Sequence, residues 1–277
     1  MKIVSKNILG EYQGVRIVRV GIKNQLIAES ARPGQFVMIM ADKHGERIPL
    51  TVVESDKRQG IVSLIFQEVG LTTCLLGKLE PEDSVYALVG PLGQPTEIKN
   101  YGRIILVGGG VGIAEIYPVG KALKQAGNKI ITVIGARTDN LLILREELKA
   151  VSDEIHFVTD DASCGRRGFT TDILTDLLSR KKYDFVFAVG PIVMMRKVAQ
   201  ITERLKITTL VSLNALMVDG SGMCGSCRIT LDGKTKFACV DGPEFNAHLI
   251  DWDELLNRSK MYVEKERHVC KLYKVNG

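Results

Sequence analysis

Short apolar runs divided by turn residues fill the chain from Met1 to about Lys99. VRIVRVGI, GQFVMIMAD, RIPLTVVES and GIVSLIFQEV have the β-branched content and the length of strands, and Gly, Pro, Asp and Lys clusters separate them. Several short strands at this spacing predict an antiparallel barrel. One short helix is expected over Thr72–Leu79, stopped by Glu80-Pro81, and the Gly- and Pro-rich stretch Gly90–Asn100 reads as a domain boundary. After Tyr101 the period changes. RIILVGG, NKIITVIGA, EIHFVTD, YDFVFAVG and ITTLVSL are buried-type strands, and Ile113–Gln125, LLILREELKAV, TTDILTDLLS and PIVMMRKVAQITERL are helices between and after them. That alternation predicts a parallel sheet covered on both faces.

From Asn214 the alternation stops. A Gly/Cys-rich loop follows, then a hairpin in RITLDGKTKFAC with Asp232-Gly233 at its turn, then a C-terminal tail. The expected organisation is a barrel over 1–99, an α/β unit over 100–213, a cysteine loop with its hairpin over 214–250, and a tail over 251–277.

Composition narrows the function classes. The 277 residues carry 37 Lys+Arg against 32 Asp+Glu, a net charge of +5 with no basic run, which gives no footprint for nucleic acid. The charge-free stretches Ser84–Thr96 and Ile207–Val218, 13 and 12 residues long, fall short of the ~20 needed to span a bilayer. MKIVSKNILGEY lacks the apolar core of a signal peptide, so a cytoplasmic location is expected and no membrane partner. Six cysteines are too sparse for a disulfide scaffold, and three of them crowd between Cys224 and Cys239.

Those three carry the sharpest chemical signal. Cys224-x2-Cys227-x11-Cys239 reproduces the last three ligand positions of a plant-type [2Fe–2S] pattern, and Asp219 stands five residues before Cys224, where the first ligand belongs. Gly220, Gly222 and Gly225 give the loop its freedom to wrap a cluster. A structural zinc with three thiolates and one oxygen is the rival reading. His268 and Cys270 are the spare ligands, and Asp219 could instead serve only as a turn former.

A second signal is LVGGGVGIAE, which joins a strand to a helix at the carboxyl end of the first parallel strand. Ligands of open α/β sheets bind on that edge, although the spacing departs from the G-x-G-x-x-G fingerprint. Gly190-Pro191 ends the fourth strand on the same edge.

The order of these parts resembles the ferredoxin-NADP⁺ reductase superfamily: a barrel carrying Arg47-x-Pro49-Leu50-Thr51, a sheet opening with Gly108–Gly112 and closing with Gly190-Pro191, then a cysteine arm. More narrowly it is similar to the branch of the dihydroorotate dehydrogenase electron-transfer subunit, the small subunit of NADH-dependent reduced ferredoxin:NADP⁺ oxidoreductase, and the sulfide dehydrogenase subunit. The resemblance implies FAD held by Arg47, Pro49, Leu50 and Thr51, by Phe66, Gln67 and Val69, and by the turn Gly70, Thr72 and Thr73. It implies NAD(H), with NADP(H) as the alternative, at Gly109, Gly110, Val111, Gly112, Gly135, Ala136, Arg137, Asp160, Asp161, Gly190 and Pro191. Val189 stands where a cysteine often precedes that Gly-Pro, so no thiol is expected at the hydride-transfer site. It further implies cluster ligation by Asp219, Cys224, Cys227 and Cys239, and a heterodimer with a larger subunit holding its own FAD and [4Fe–4S] clusters. Through that subunit ferredoxin and NADP(H) would be coupled by electron bifurcation. No general base or nucleophile constellation is present, which suits hydride and electron transfer.

Overall fold

The computed structural model describes residues 1–273; the last four positions of the tail lie outside the described residues. Strands β1 (Ile3–Tyr12) and β2 (Val15–Lys23) open the chain as a hairpin and lead into helix α1 (Gln25–Ser30), capped by the Asn24 side chain. β3 (Phe36–Met40), β4 (Arg47–Asp56), β5 (Ile61–Gln67), helix α2 (Leu71–Lys78) and β6 (Ala87–Leu92) follow. The six strands form one antiparallel sheet in the order β1-β2-β5-β4-β3-β6. It closes on itself where Lys2 bridges Ser84 and the Ile3 amide donates to Asp83 at 2.8 Å. Closure leaves Ile3, Val18, Val20, Ile22, Val37, Val62, Leu64 and Phe66 packed inside.

The second sheet is built by β7 (Arg103–Gly109), α3 (Ile113–Gln125), β8 (Lys129–Ala136), α4 (Arg145–Val151), β9 (Glu154–Thr159), β10 (Arg166–Arg167), α5 (Thr170–Arg180), β11 (Phe185–Val189), α6 (Ile192–Arg204) and β12 (Thr208–Ser212). All five strands expected from the sequence are present and parallel, with β9-β8-β7-β11-β12 at the centre. The strand order reverses at β7. Its neighbours β8 and β11 leave a crevice beyond its carboxyl end, where an open α/β sheet takes ligands. Helix α3 can lie close to β7 because Gly120 has no side chain: a Cβ there would stand 2.9 Å from Leu106.

The cysteine loop leads to the hairpin β13 (Arg228–Leu231) and β14 (Lys234–Phe237), turned through Asp232 and Gly233 at positive φ. Then β15 (Glu244–Asn246) adds to the large sheet as an antiparallel edge beside β12. Helix α7 (Trp252–Ser259) starts at Asp251, whose side chain accepts from the Glu254 amide, and α8 (Val263–Leu272) ends the described chain. Tyr262 at φ 70° separates the two helices, so Trp252, Leu255 and Leu256 of α7 do not share one continuous helix with Val263. Leu255 is buried and Trp252 packs on the large core, so α7 covers its own molecule.

Several elements were silent in the pattern. β1 is half exposed along its length, α1 has only six residues, and β6 runs into the Gly/Pro-rich stretch read as a boundary. No helix among the described residues is long and apolar enough to cross a membrane.

Candidate functional site

β4 carries the RIPLT segment along the barrel. Arg47 is exposed, while Pro49, Leu50 and Thr51 are half-buried and run toward the nucleotide sheet. Phe66 is buried at the end of β5, with Gln67 beside it and Val69 exposed beyond. Gly70 caps α2, and a Cβ on it would meet nothing within 4 Å, so this helix start faces open space. Thr73 is not free there: its hydroxyl accepts from the Gly70 amide at 3.0 Å and closes the first turn of α2. Thr72 is buried.

The glycine turn sits at the carboxyl end of β7, and its glycines have different reasons. Gly110 takes a positive φ of 56° with open space around its absent Cβ. Gly112 lies against β11, where a Cβ would fall 2.8 Å from the Val189 carbonyl oxygen, and Gly109 is covered by Met194 and Pro191. Val111 is half-buried, as are Gly135 and Ala136 at the end of β8, while Arg137, Asp160, Asp161 and Pro191 are exposed along the same edge and Gly190 turns at φ 155°. Asp161 is already engaged: it accepts from the Ser163 hydroxyl at 2.6 Å and the Ser163 amide at 3.0 Å, which lowers its carboxyl to about 2. All eleven residues expected at the nucleotide therefore lie on or next to the carboxyl edge of one sheet.

In the cysteine loop, Cys227 and Cys239 are buried and their sulfurs are 3.2 Å apart. Two thiolates on one tetrahedral metal stand about 3.8 Å apart when metal–sulfur bonds are 2.3 Å, so this pair would have to part by about 0.6 Å to serve one ion. Burial and the neighbouring Cys227 push the Cys239 thiol up to about 12. Cys224 is exposed; hydrogen bonds from Ser226 lower its thiol. Asp219 turns its carboxylate into the loop, accepting from the Ser221 amide at 2.7 Å and the Cys224 amide at 3.0 Å. Those amides hold it below the usual carboxylate range. Gly220, Gly222 and Gly225 all have positive φ, and Gly220 lies so close to Met38 and Leu92 of the barrel that a Cβ would fall 2.8 Å from both.

Among the described residues no three His, Cys, Asp or Glu side chains converge on one point. The donors fall instead into two pairs, Cys227 with Cys239 and Asp219 with Cys224. A two-iron cluster takes its ligands two per iron, and these two pairs of soft and hard donors fit such a cluster. The spare ligands do not reach the loop: α8 packs on α2, and Cys270 lies beside Cys74 there. Arg258 of α7 does brace the loop, donating to the Ser226 carbonyl at 2.8 Å.

Sequence reasoning missed the acidic residues at the junction of barrel and sheet. Glu115, in the first turn of α3, is buried and its Oε2 accepts from the Thr51 hydroxyl at 3.3 Å; its Oε1 has no partner among protein atoms. Ser212 at the end of β12 lies beside that carboxyl, and Thr96 donates to Oε1 of the largely buried Glu244. Desolvation raises Glu115 to about 7 and Glu244 to about 8. A usable signal existed, since Glu115 breaks an otherwise apolar face of α3 three residues after the glycine turn. The orphaned Oε1 beside the RIPLT strand and the open space at Gly70 are what a polar ring system and its phosphates would fill, so the junction fits a flavin nucleotide.

Residues 106–200 match the family described as the oxidoreductase NAD-binding domain, and residues 214–251 match the iron-sulfur cluster binding domain of dihydroorotate dehydrogenase B. A Thermotoga maritima protein described as a homolog of the dihydroorotate dehydrogenase B (NAD(+)) electron transfer subunit is 49 % identical over 89 % of this chain and 87 % of its own. The Bacillus caldolyticus electron transfer subunit is 32 % identical, over 89 % and 96 %. A solved structure of NADH-dependent reduced ferredoxin-NADP oxidoreductase superposes with a TM-score of 0.91 at 44 % identity, covering 98 % of this chain and 97 % of that one. Plasmodium falciparum ferredoxin-NADP+ reductase, 16 % identical with a TM-score of 0.57, shares the fold. The chain belongs to the family of dihydroorotate dehydrogenase B-type electron transfer subunits: it is an oxidoreductase subunit of ferredoxin-NADP reductase-like fold whose cofactors are FAD, an iron–sulfur cluster and NAD(H).

Proposed function

We propose that this chain takes electrons from NADH at the crevice above β7 and delivers them singly, through a [2Fe–2S] cluster in its cysteine loop, to a larger partner subunit in the cytoplasm. The observation that carries the reading is the Cys227–Cys239 pair, 3.2 Å apart and buried against the core shared with the barrel. Bound flavin supplies the conversion of a two-electron hydride into single electrons.

The chain's own residues then have defined work. The exposed guanidinium of Arg47 would supply the positive charge that the flavin pyrophosphate needs, with the α2 start at Gly70 and Thr72 completing the cradle. Leu50 and Thr51 border the ring, Gln67 and Val69 line the approach, and Phe66, buried in the barrel core, contributes only its backbone. Gly110, Val111 and Gly112 cradle the nicotinamide nucleotide's phosphates, Arg137, Asp160 and Asp161 border its ribose, and Gly190-Pro191 closes the pocket. Asp219, Cys224, Cys227 and Cys239 would together hold the iron–sulfur cluster. The partner carries its own flavin and [4Fe–4S] clusters, and the assembly couples NADH, NADP(H) and ferredoxin. The similarity to the solved NADH-dependent reduced ferredoxin-NADP oxidoreductase supports that acceptor. Dihydroorotate dehydrogenase is the second reading, supported by the curated relatives.

The visible spectrum and metal content of anaerobically purified protein test the core of this reading. Flavin with about two irons and matching acid-labile sulfide per chain is expected; zinc without sulfide would replace it by a single-chain flavin reductase. Arg47→Ala is expected to weaken FAD retention by ~1–3 kcal/mol, the loss of a charge-assisted hydrogen bond, read by equilibrium dialysis. For Asp219, electron paramagnetic resonance of the reduced protein is the measurement. Asp219→Cys should keep a shifted [2Fe–2S] signal and Asp219→Ala should weaken it or remove it, whereas unchanged spectra in both would leave Asp219 as a turn former.

A further inference from the structure

Glu115 and Glu244 lie at the junction of barrel and nucleotide sheet, and neither pairs with a cation among the described residues. They come together through the edge of the sheet, because Glu244 on β15 stands opposite Ser212 on β12, and Ser212 lies beside the Glu115 carboxyl. Gly34 roofs the Glu244 side. A Cβ on it would fall 2.3 Å from the Thr96 hydroxyl and 2.6 Å from Oε1 of Glu244.

Few other charges reach this pocket. Tyr101 lies near Glu244. On the elements packed against α3, Glu54 of β4 is tied to Arg19 and to the Tyr117 hydroxyl, Arg145 of α4 is paired with Asp139, and Lys149 with Glu146. Arg103 and Lys129 start β7 and β8, at the end of those strands opposite the glycine turn. An uncompensated carboxylate in such a place is costly, and the group keeps its proton instead. With Oε2 accepting from Thr51, Oε1 is the oxygen left to carry that proton, and it is the one without a protein partner.

We propose that Glu115 is a neutral hydrogen-bond donor to the bound flavin, aimed from Oε1 at the ring that borders Thr51. The inference rests on the reading of the RIPLT strand as the flavin segment. Its chemical sense follows from the charge change of the reaction. Hydride from NADH gives the flavin two electrons and one proton, so the ring gains one negative charge. A carboxylate at this point would repel that charge, whereas a protonated carboxyl donates to it and adds none.

The test uses the flavin-loaded protein. Reduced-minus-oxidised infrared spectra should contain a protonated-carboxyl C=O band that moves when the flavin is reduced and disappears in Glu115→Gln. Glu115→Gln keeps a neutral N–H donor and should hold the flavin midpoint potential near that of the parent. Glu115→Leu removes the donor and should weaken the hold on reduced relative to oxidised flavin by about tenfold, which lowers the two-electron midpoint by ~30 mV. A parent spectrum without the band, or a band that survives in Glu115→Gln, overturns the assignment even if Glu115→Leu does not fold. A protein that purifies with no flavin at all defeats the flavin reading itself, which separates the two failures.

Discussion

Cys239→Ala should yield a protein that keeps its FAD and loses its iron. Cys239 is 2 % exposed and its sulfur has a single sulfur neighbour, Cys227, which is 1 % exposed. On the proposed ligation, removing one of the pair leaves its iron with a single thiolate. Cys270 and His268 sit on α8, which packs on α2, with Cys270 beside Cys74. Iron should therefore fall from about two per chain to near zero, and the low-temperature resonance of the reduced protein should vanish. Hydride transfer from NADH to a soluble two-electron dye should stay within about twofold of the parent, since the flavin and nucleotide sites share no side chain with the loop. Single-electron delivery to the partner should stop. Iron retained at parental levels would remove the cluster from this loop.

The second large effect concerns pH. Glu115 and Glu244 have folded values of about 7 and about 8, above the 4.5 of a free glutamate, chiefly because burial disfavours their charged forms. The folded state thus binds these protons more tightly than the unfolded chain does. Their contribution is fully present below the unfolded value and is lost as pH rises through the folded ones. Stability of the cofactor-free protein should accordingly decline between about pH 5 and pH 9, by several kcal/mol in total, since each tenfold difference in proton affinity between the folded and unfolded chain is worth ~1.4 kcal/mol. Denaturant midpoints across that range would show it. The double variant Glu115→Gln/Glu244→Gln should flatten the slope, and a parent whose stability rises over the same interval would contradict the placement of these carboxyls.

How much of this was readable beforehand depended on whether the determining signal was local. The parallel strands announced themselves because a strand buried on both faces must be apolar throughout, as in RIILVGG and YDFVFAVG. Helix α3 was readable to the residue, since its apolar face begins at Ile113 and Gly127 follows its end. β1 was not, because one of its faces meets solvent and its alternation is diluted by Lys6, Asn7 and Glu11. β15 was also hidden: three residues cannot show a period, and their strand character comes wholly from β12 alongside. Among site residues, the cysteines and glycines were visible as motifs, since covalent and backbone constraints fix their spacing. Glu115 and Glu244 could not be paired on paper. They are separated by more than a hundred positions, and only the folding of β15 against β12 brings them to one pocket.

The way the cysteine arm is attached has a consequence for electron flow. β15 hydrogen-bonds to β12, the Gln94 side chain donates to the Val240 carbonyl at 2.9 Å, and Gly220 lies against Met38 and Leu92 of the barrel. The arm is thus stapled to both halves of the molecule rather than swinging on a tether. Tunnelling rates fall off exponentially with the gap between donor and acceptor, so a splinted arm gives every turnover the same gap. The internal transfer then becomes a fixed resistance, and the exposed part of the loop is the side at Cys224 and Met223.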